Sequence, residues 1–395
     1  MHLAIDGTLW DTYRPDLYDR MALAVLESLG QPLAYLGKGP VPPSLPAAAR
    51  WIPADMHLLD KVRPSGFLRR TIPRTMIAHH LDRWVSWTGQ SVAPPFAPAG
   101  GQRVFLKEVA PLLWADGSAS GRGAADRGAA AISARCAEAL QDPNAQVLLF
   151  STRAADILRR SVSGDPAAGA GGNASPHNAA AHNAPPHNAA ARIHALPPFF
   201  KGPASAPTEE ERDAAKAAFG EGKEYFLWLG NLDGQAHWRE ALKAFSQFKV
   251  RQRSRMRLVM APWRVDDEAF AESLRSYKFR ADVTVVGPGP DTWQQAAPGA
   301  YALLFTPPTD ELGWVTAAAQ QLGAPLISTA GSVAREWAGD AVEWVDPRSP
   351  ESIAEAMLRL FKDEVYRGRL LGMGRELAET MEGGKVINRY LCHLS

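Results

Sequence analysis

FTPPTDELGWVTAAAQQLGAPLIST, residues 305–329, holds a whole structural unit in twenty-five letters. It reads as the end of a buried strand, a turn carrying the adjacent acids Asp310 and Glu311, and an Ala-rich helix from about Val315. Gly323 and Pro325 then stop the helix, and a further strand follows. A turn between a strand and the next helix lies at the carboxyl edge of its sheet, where open α/β sheets bind ligands. Gly313 lets the backbone approach closely there, and the first helical amides point outward.

Outward from that unit the same rhythm continues in both directions. Upstream, RIHALPPFF reads as a strand and TEEERDAAKAAFG as a helix closed by Gly220. In that helix Thr208 caps the first amides and Glu209 to Glu211 sit at the positive end of the dipole. EYFLWLGNLD, MRLVMAP, DVTVVGP and YALLFTP follow as strands separated by helices such as WREALKAFSQFKVRQR and DDEAFAESLRSY. Downstream come PLIST, a helix SVAREWAG, AVEWVD and a helix SPESIAEAMLRLFKD. Strand and helix alternating at this spacing predict a parallel sheet covered on both faces. In the first half LAID, PLAYLG, RVFLKEV and AQVLLFST read as strands, with DLYDRMALAVLESLG and RGAAAISARCAEALQ as helices. The fold class is therefore α/β: two Rossmann-like domains facing across a cleft, with a linker near Lys201 to Pro207.

A chain of 395 residues exceeds one ordinary core and fits two domains. Lys and Arg total 43 against 42 Asp and Glu, a formal charge of +1, so no global field draws the protein to nucleic acid. Cys136 and Cys392, far apart in sequence, form neither a disulfide framework nor a zinc spacing, which fits a reducing, cytoplasmic setting. MHLAIDGTLW carries an acid at position 6 and reads as a first strand rather than a signal peptide. Nowhere do 18 apolar residues run together, which leaves membrane-surface work open but not spanning.

Ser163 to Ala191 repeats Pro-His-Asn-Ala units and has almost no large apolar side chain, so it is expected to be a disordered surface loop. His177, His182 and His187 within it have a spacing that sometimes binds metal adventitiously. Residues 60–84, DKVRPSGFLRRTIPRTMIAHHLDRW, gather Lys61, Arg63, Arg69, Arg70, Arg74 and Arg83. They read as a solvated basic face or as a surface for a phosphate-bearing acceptor or membrane.

The order of these elements resembles the retaining glycosyltransferases of family four, which have the GT-B fold. EYFLWLGNLD is similar to the family strand that ends in Gly-Arg-Leu-Asp. Residues 322–364, LGAPLISTAGSVAREWAGDAVEWVDPRSPESIAEAMLRLFKDE, resemble the family's long run between its catalytic loop and last helices. LAIDGTLW, VFLKEVAPLL and VLLFSTRAADILRR carry a weaker likeness in the first half, and KVINRYLCHL resembles the helix that crosses back. The resemblance implies an acceptor-side domain over 1–200, a nucleotide-sugar domain over 208–375, and a helix over 376–395 returning to the first domain.

Set against the family phrase Phe-Pro-Ser-x-x-Glu-Gly-Phe-Gly, the first acid falls on Asp310 and the last glycine on Gly313. The second acid, seven residues on, falls on Ala318, or on Ala319 if Glu311 takes the first place; in the family it receives the nucleotide ribose hydroxyls. Asn231 and Ala236 stand where the family has an Arg and a Lys that hold the leaving diphosphate. Of the Gly-rich loop after the first strand only Gly7 is left, and Lys107-Glu108 replace a His-Asp pair. By resemblance, Asp310 and Glu311 are then the catalytic candidates. Gly230, Asn231, Asp233, His237, Thr309, Gly313 and Trp314 form the donor side, and Gly7, Lys107 and Glu108 the acceptor side.

The implied activity is transfer of a sugar, with retention, from a nucleotide sugar to a polysaccharide or cell-envelope glycan. It calls for no metal and no cofactor beyond the donor as substrate, and for no nucleic acid. The alternative is an inactive glycosyltransferase-like protein that binds glycan or partners an active transferase. Both place the protein in the cytoplasm, with peripheral association at the inner face of the membrane as a further expectation. Plainer roles stand beside these. Asp310 and Glu311 suit any helix amino terminus, Asp233 suits a cap for the helix at Trp238, and His237 suits a packed surface position. The tryptophans Trp228, Trp238, Trp263, Trp293 and Trp314 have rings suited to stacking on sugar or base faces, but all except Trp314 suit core or interface better.

Overall fold

The computed structural model describes residues 3–6, 28, 33–37, 41, 49–53, 71–86, 98–106, 122–163, 188–196, 206–232, 236–262, 268–287, 292–307, 313–381 and 383–394. The chain divides into two compact units, Met1–Pro197 with Ile387–Ser395, and Pro198–Val386. The fold is mixed α/β, and among the described residues every strand pairing is parallel. Among the described residues no helix is long and apolar enough to cross a membrane.

The first unit holds β1 (Leu3–Asp6), β2 (Leu33–Gly37), β3 (Ala49–Pro53), β4 (Arg83–Ser86), β5 (Gln102–Phe105), β6 (Gln146–Leu149) and β7 (Ile193–Ala195). They line up as β3-β2-β1-β4-β5-β6-β7, so the order reverses between β1 and β4, the switch point of a doubly wound sheet. Its helices are α1 (Ile72–Ala78), α2 (Arg122–Ala139) and α3 (Thr152–Val162), the last started by Ser151, whose hydroxyl accepts the Ala154 amide at 3.0 Å. β3 and β4 are strands that the sequence does not announce. The helix expected over DLYDRMALAVLESLG lies outside the described residues, apart from Ser28, which is helical.

In the second unit α4 (Glu209–Gly220) begins with a capping box, in which Thr208 and Glu211 exchange bonds of 3.2 and 2.8 Å. There follow β8 (Tyr225–Gly230), α5 (Trp238–Gln252), β9 (Arg257–Pro262), α6 (Glu268–Arg275), β10 (Val283–Val285), α7 (Thr292–Ala296), β11 (Ala300–Phe305) and α8 (Trp314–Leu322). The unit continues with β12 (Leu326–Thr329), α9 (Arg335–Ala338), β13 (Glu343–Val345), α10 (Pro350–Lys362) and α11 (Glu364–Thr380). The strand order is β10-β9-β8-β11-β12-β13, with its switch between β8 and β11. Every residue of β8 and β9 is buried, as the near-unbroken apolar strings FLWL and LVMA require of strands covered on both faces. One face packs Phe226, Trp228, Leu258 and Leu304 against Phe245 and Phe248 of α5 and Met357 of α10.

The last helix, α12 (Gly383–Leu394), places its residues from Ile387 onward in the first unit. Val386, Tyr390 and Leu394, four apart, form its buried stripe. Tyr390 stacks on Phe105 at 6.2 Å. The terminal carbonyls that a helix leaves unpaired are taken by arginines: Arg83 donates to the Leu394 carbonyl and Arg103 to that of His393. The His393 ring lies 4.5 Å from that of His194. Burial first, then His393, Arg159 and Arg103, pushes His194 down to about 4. Arg83 also donates to the Gly100 carbonyl at 2.7 Å, so it does not belong to a solvated basic face as its sequence neighbourhood suggested. Arg74 is exposed, while Lys61, Arg63, Arg69 and Arg70 lie outside the described residues.

Of the stretch expected to be disordered, residues 164–187 lie outside the described residues, while Ser163 and residues 188–191 are described. Ala189–Arg192 forms a 3-10 turn with Ala189 buried, and Arg192 donates to the carbonyls of Leu140, at 2.9 Å, and Asp142, at 2.6 Å. An apolar-poor sequence is held there by a guanidinium that reaches a loop about fifty residues away.

Candidate functional site

Parallel pairing brings Leu229 of β8 opposite Phe305 of β11, so the loops that leave these two strands start side by side at the carboxyl edge of the sheet. This is the switch point of the second sheet, the place where such sheets bind ligands. The two loops carry all the donor-side candidates. Gly230, Asn231, His237 and Gly313 are described, and Trp314 begins α8 with its side chain outside the described residues. Asp233, Thr309, Asp310 and Glu311 lie outside the described residues, as do Gly7, Lys107 and Glu108 in the first unit.

Gly230 closes β8 with φ 156°, and a Cβ there would stand 2.9 Å from Cζ2 of Trp228 and 3.3 Å from the Ala236 methyl. Only a residue without a side chain fits. Trp228 is fully buried, and its indole N–H donates to the Thr306 hydroxyl at 2.8 Å. Thr306, the residue after β11, donates in turn to the Ala236 carbonyl at 2.8 Å. The Trp228 ring thus belongs to the core and to this chain of bonds, not to a stacking surface.

His237 is the N-cap of α5 and sits in the left-handed region at φ 51°, with its carbonyl accepting the Ala241 amide at 3.1 Å. The His237 side chain makes no capping bond, and Asp233, the expected cap, lies outside the described residues. The His237 Nδ1 lies 3.5 Å from a Glu240 carboxylate oxygen, with both side chains largely covered. Trp238 beside it is buried against Phe270 at 5.1 Å and carries the Arg239 guanidinium over its ring at 4.0 Å.

Gly313 is the N-cap of α8 at φ 68°, and a Cβ there would lie 2.9 Å from Cζ2 of Trp337 and 3.1 Å from the Ala334 methyl. The α9 region thus leaves no room for a side chain at this position. Ala318 and Ala319 are fully buried in α8, and Ala236 is buried as well. Thr306 is the residue of this edge that the sequence reading missed.

Residues 209–376 match the family of glycosyl transferases group 1. That region spans α4 to α11, and the fold is the one seen in glycosyltransferase structures. Among solved structures the chain is similar to WaaG, a glycosyltransferase involved in lipopolysaccharide biosynthesis. The two are 15% identical over 98% of each chain, with a TM-score of 0.67. It is similar to the sucrose-phosphate synthase of Thermosynechococcus elongatus at 14% identity, over 100% of this chain and 98% of that one, with a TM-score of 0.69. It is also similar to Anabaena HepE, solved in complex with UDP and glucose, at 12% identity over 99% and 98% of the two chains, with a TM-score of 0.65. No curated protein matches the chain by sequence.

Proposed function

We propose that the protein transfers a sugar from a nucleotide-sugar donor to a polysaccharide or cell-envelope glycan, retaining the configuration at the anomeric carbon. The observation that carries this reading is the paired start of the β8 and β11 loops at the switch point, within the region that matches the glycosyl transferases group 1 family. HepE, whose fold this chain shares, holds UDP and glucose in its crystals, which supports a nucleotide-sugar donor. In this reading Asp310 and Glu311 act at the reacting sugar, and Gly230, Asn231, Asp233, His237, Thr309, Gly313 and Trp314 hold the donor. Gly7, Lys107 and Glu108 serve the acceptor from the first unit, and the donor is a substrate, with no further cofactor. The protein works in the cytoplasm, at the inner membrane face when its acceptor is lipid-linked.

A second reading is favoured by one observation. Ala318 and Ala319 are fully buried and Ala236 is nearly so, which leaves the ribose and diphosphate without the fixed charges of the resembling family. On that reading the protein binds glycan or partners an active transferase. Incubation with a panel of UDP-, ADP- and GDP-sugars, following release of the nucleoside diphosphate, separates the two. Transfer predicts release from at least one donor, its loss in Asp310→Ala, and a retained anomer by proton NMR. No release from any donor, with glycan binding intact, would establish the second reading.

A further inference from the structure

The bond chain at the carboxyl edge of the second sheet ties together three separate pieces of chain. Trp228 belongs to β8, Thr306 follows β11, and Ala236 lies in the segment that enters α5. An indole N–H only donates and a carbonyl only accepts, so the Thr306 hydroxyl must accept from Trp228 and donate to Ala236. Thr306 has no exposed surface, and its bonds to both partners measure 2.8 Å.

The tie reaches the candidate donor loops at their roots. Ala236 directly precedes His237, a non-glycine residue at φ 51°. Such a residue costs about 1 kcal/mol and persists only where its surroundings fix it on both sides. Here the Thr306 bond holds the residue before it, and the bond from the Ala241 amide to the His237 carbonyl holds it from the helix side. On the other loop Thr306 itself stands four residues before Asp310. One hydroxyl therefore ties the start of the β11 loop to the end of the β8 loop, where the chain enters α5, and to Trp228 in β8 itself.

We propose that Thr306 is a positioning residue of the donor site, coupling the β8 loop to the β11 loop so that the groups on both meet one donor diphosphate. The inference rests on the glycosyl-transfer reading above. It adds that donor affinity depends on a buried hydroxyl that itself touches no ligand.

The test uses the full chain with Thr306→Val and Thr306→Ser. Valine keeps the shape and removes the hydroxyl, while serine keeps the hydroxyl. UDP, ADP and GDP are titrated calorimetrically, and amide hydrogen exchange is followed over residues 230–241. For whichever nucleotide the wild type binds, Thr306→Val is expected to weaken affinity about tenfold or more, because small displacements at such sites are costly. Thr306→Ser is expected to stay within about threefold of wild type, and exchange over 230–241 to rise only in the valine variant. Equal nucleotide affinity in wild type and Thr306→Val overturns the inference while leaving the transfer reading intact. Unchanged exchange in Thr306→Val overturns the coupling whatever the affinities show. Should the wild type bind none of the three nucleotides, the transfer reading fails and the positioning role fails with it. A rise in exchange confined to the valine variant would then still show the two loops to be coupled.

Discussion

Replacing Gly230 with alanine separates two costs that are usually confounded, because a second glycine in the same unit bears only one of them. At Gly230 a methyl would press on the Trp228 ring at 2.9 and 3.0 Å and on Ala236 at 3.3 Å, with φ at 156°. At Gly222 φ is 72° and nothing stands within 4 Å of the added carbon. Forcing a methyl into a packed site costs about 1 to 3 kcal/mol, and an alanine at an unfavourable positive φ about 1 kcal/mol more. Gly230→Ala should thus lose roughly 3 kcal/mol and Gly222→Ala about 1 kcal/mol. For a unit of this size the melting temperature should fall by about 10 °C in the first case and about 3 °C in the second. Scanning calorimetry on the full chain reads both.

The clash also names its own relief. Trp228→Phe removes Cζ2 and Cη2, the two ring atoms in the way, while Thr306 keeps its bond to the Ala236 carbonyl. That change alone should cost about 1 to 2 kcal/mol through the lost indole bond and the space it leaves. In the double variant the two losses should fall short of their sum by about 1 to 2 kcal/mol. Strict additivity within about 0.5 kcal/mol, or a Gly230→Ala loss no greater than that of Gly222→Ala, would refute the close packing of this strand end.

Three further outcomes follow from the packing. Tyr390→Ala empties a buried site against Phe105 and should cost about 3 to 5 kcal/mol, read by calorimetry as an early transition of the first unit. His194 titrates in the folded chain near 4 against an ordinary 6.5, so the unfolded chain takes up its proton first as the pH falls. Stability should be full above pH 6.5 and decline towards pH 4, and His194→Gln should flatten the melting-temperature profile across that window. Ala318→Glu, which by resemblance alone would restore a ribose contact, should instead lower the melting temperature without tightening UDP binding, because the site is fully buried in α8.

The second unit was largely legible in the letters because its strands are apolar throughout and its helices announce their ends, as Thr208 with Glu211 does for α4. The first unit was less so. β3, ARWIP, is an edge strand that tolerates Pro53 at its end, and β4, RWVS, opens with Arg83, whose partner Leu394 lies 311 residues away. No local pattern carries such a pairing. The position of the donor-side loops was legible from strand and helix alternation, because a parallel sheet puts every strand-to-helix turn on one edge. What crowds Gly230 and Gly313 was not: their neighbours Trp228, Ala236, Ala334 and Trp337 are set by packing between elements. Thr306 did leave a trace, since it stands where the resembling phrase has a proline, and a side-chain hydroxyl can both donate and accept where the proline ring does neither.

The central claim is that the carboxyl edge of the second sheet, where the β8 and β11 loops begin, binds the nucleotide of a sugar donor. Calorimetric titration of the full chain with UDP, ADP and GDP tests it most directly, with Asp310→Ala alongside to separate nucleotide binding from action at the sugar. At least one of the three should bind saturably to both proteins, because the nucleotide is held by the loop roots and not by that acid. Absence of saturable binding for all three to the wild type, up to concentrations of about 10 mM, where binding energy falls below about 3 kcal/mol, would contradict the claim.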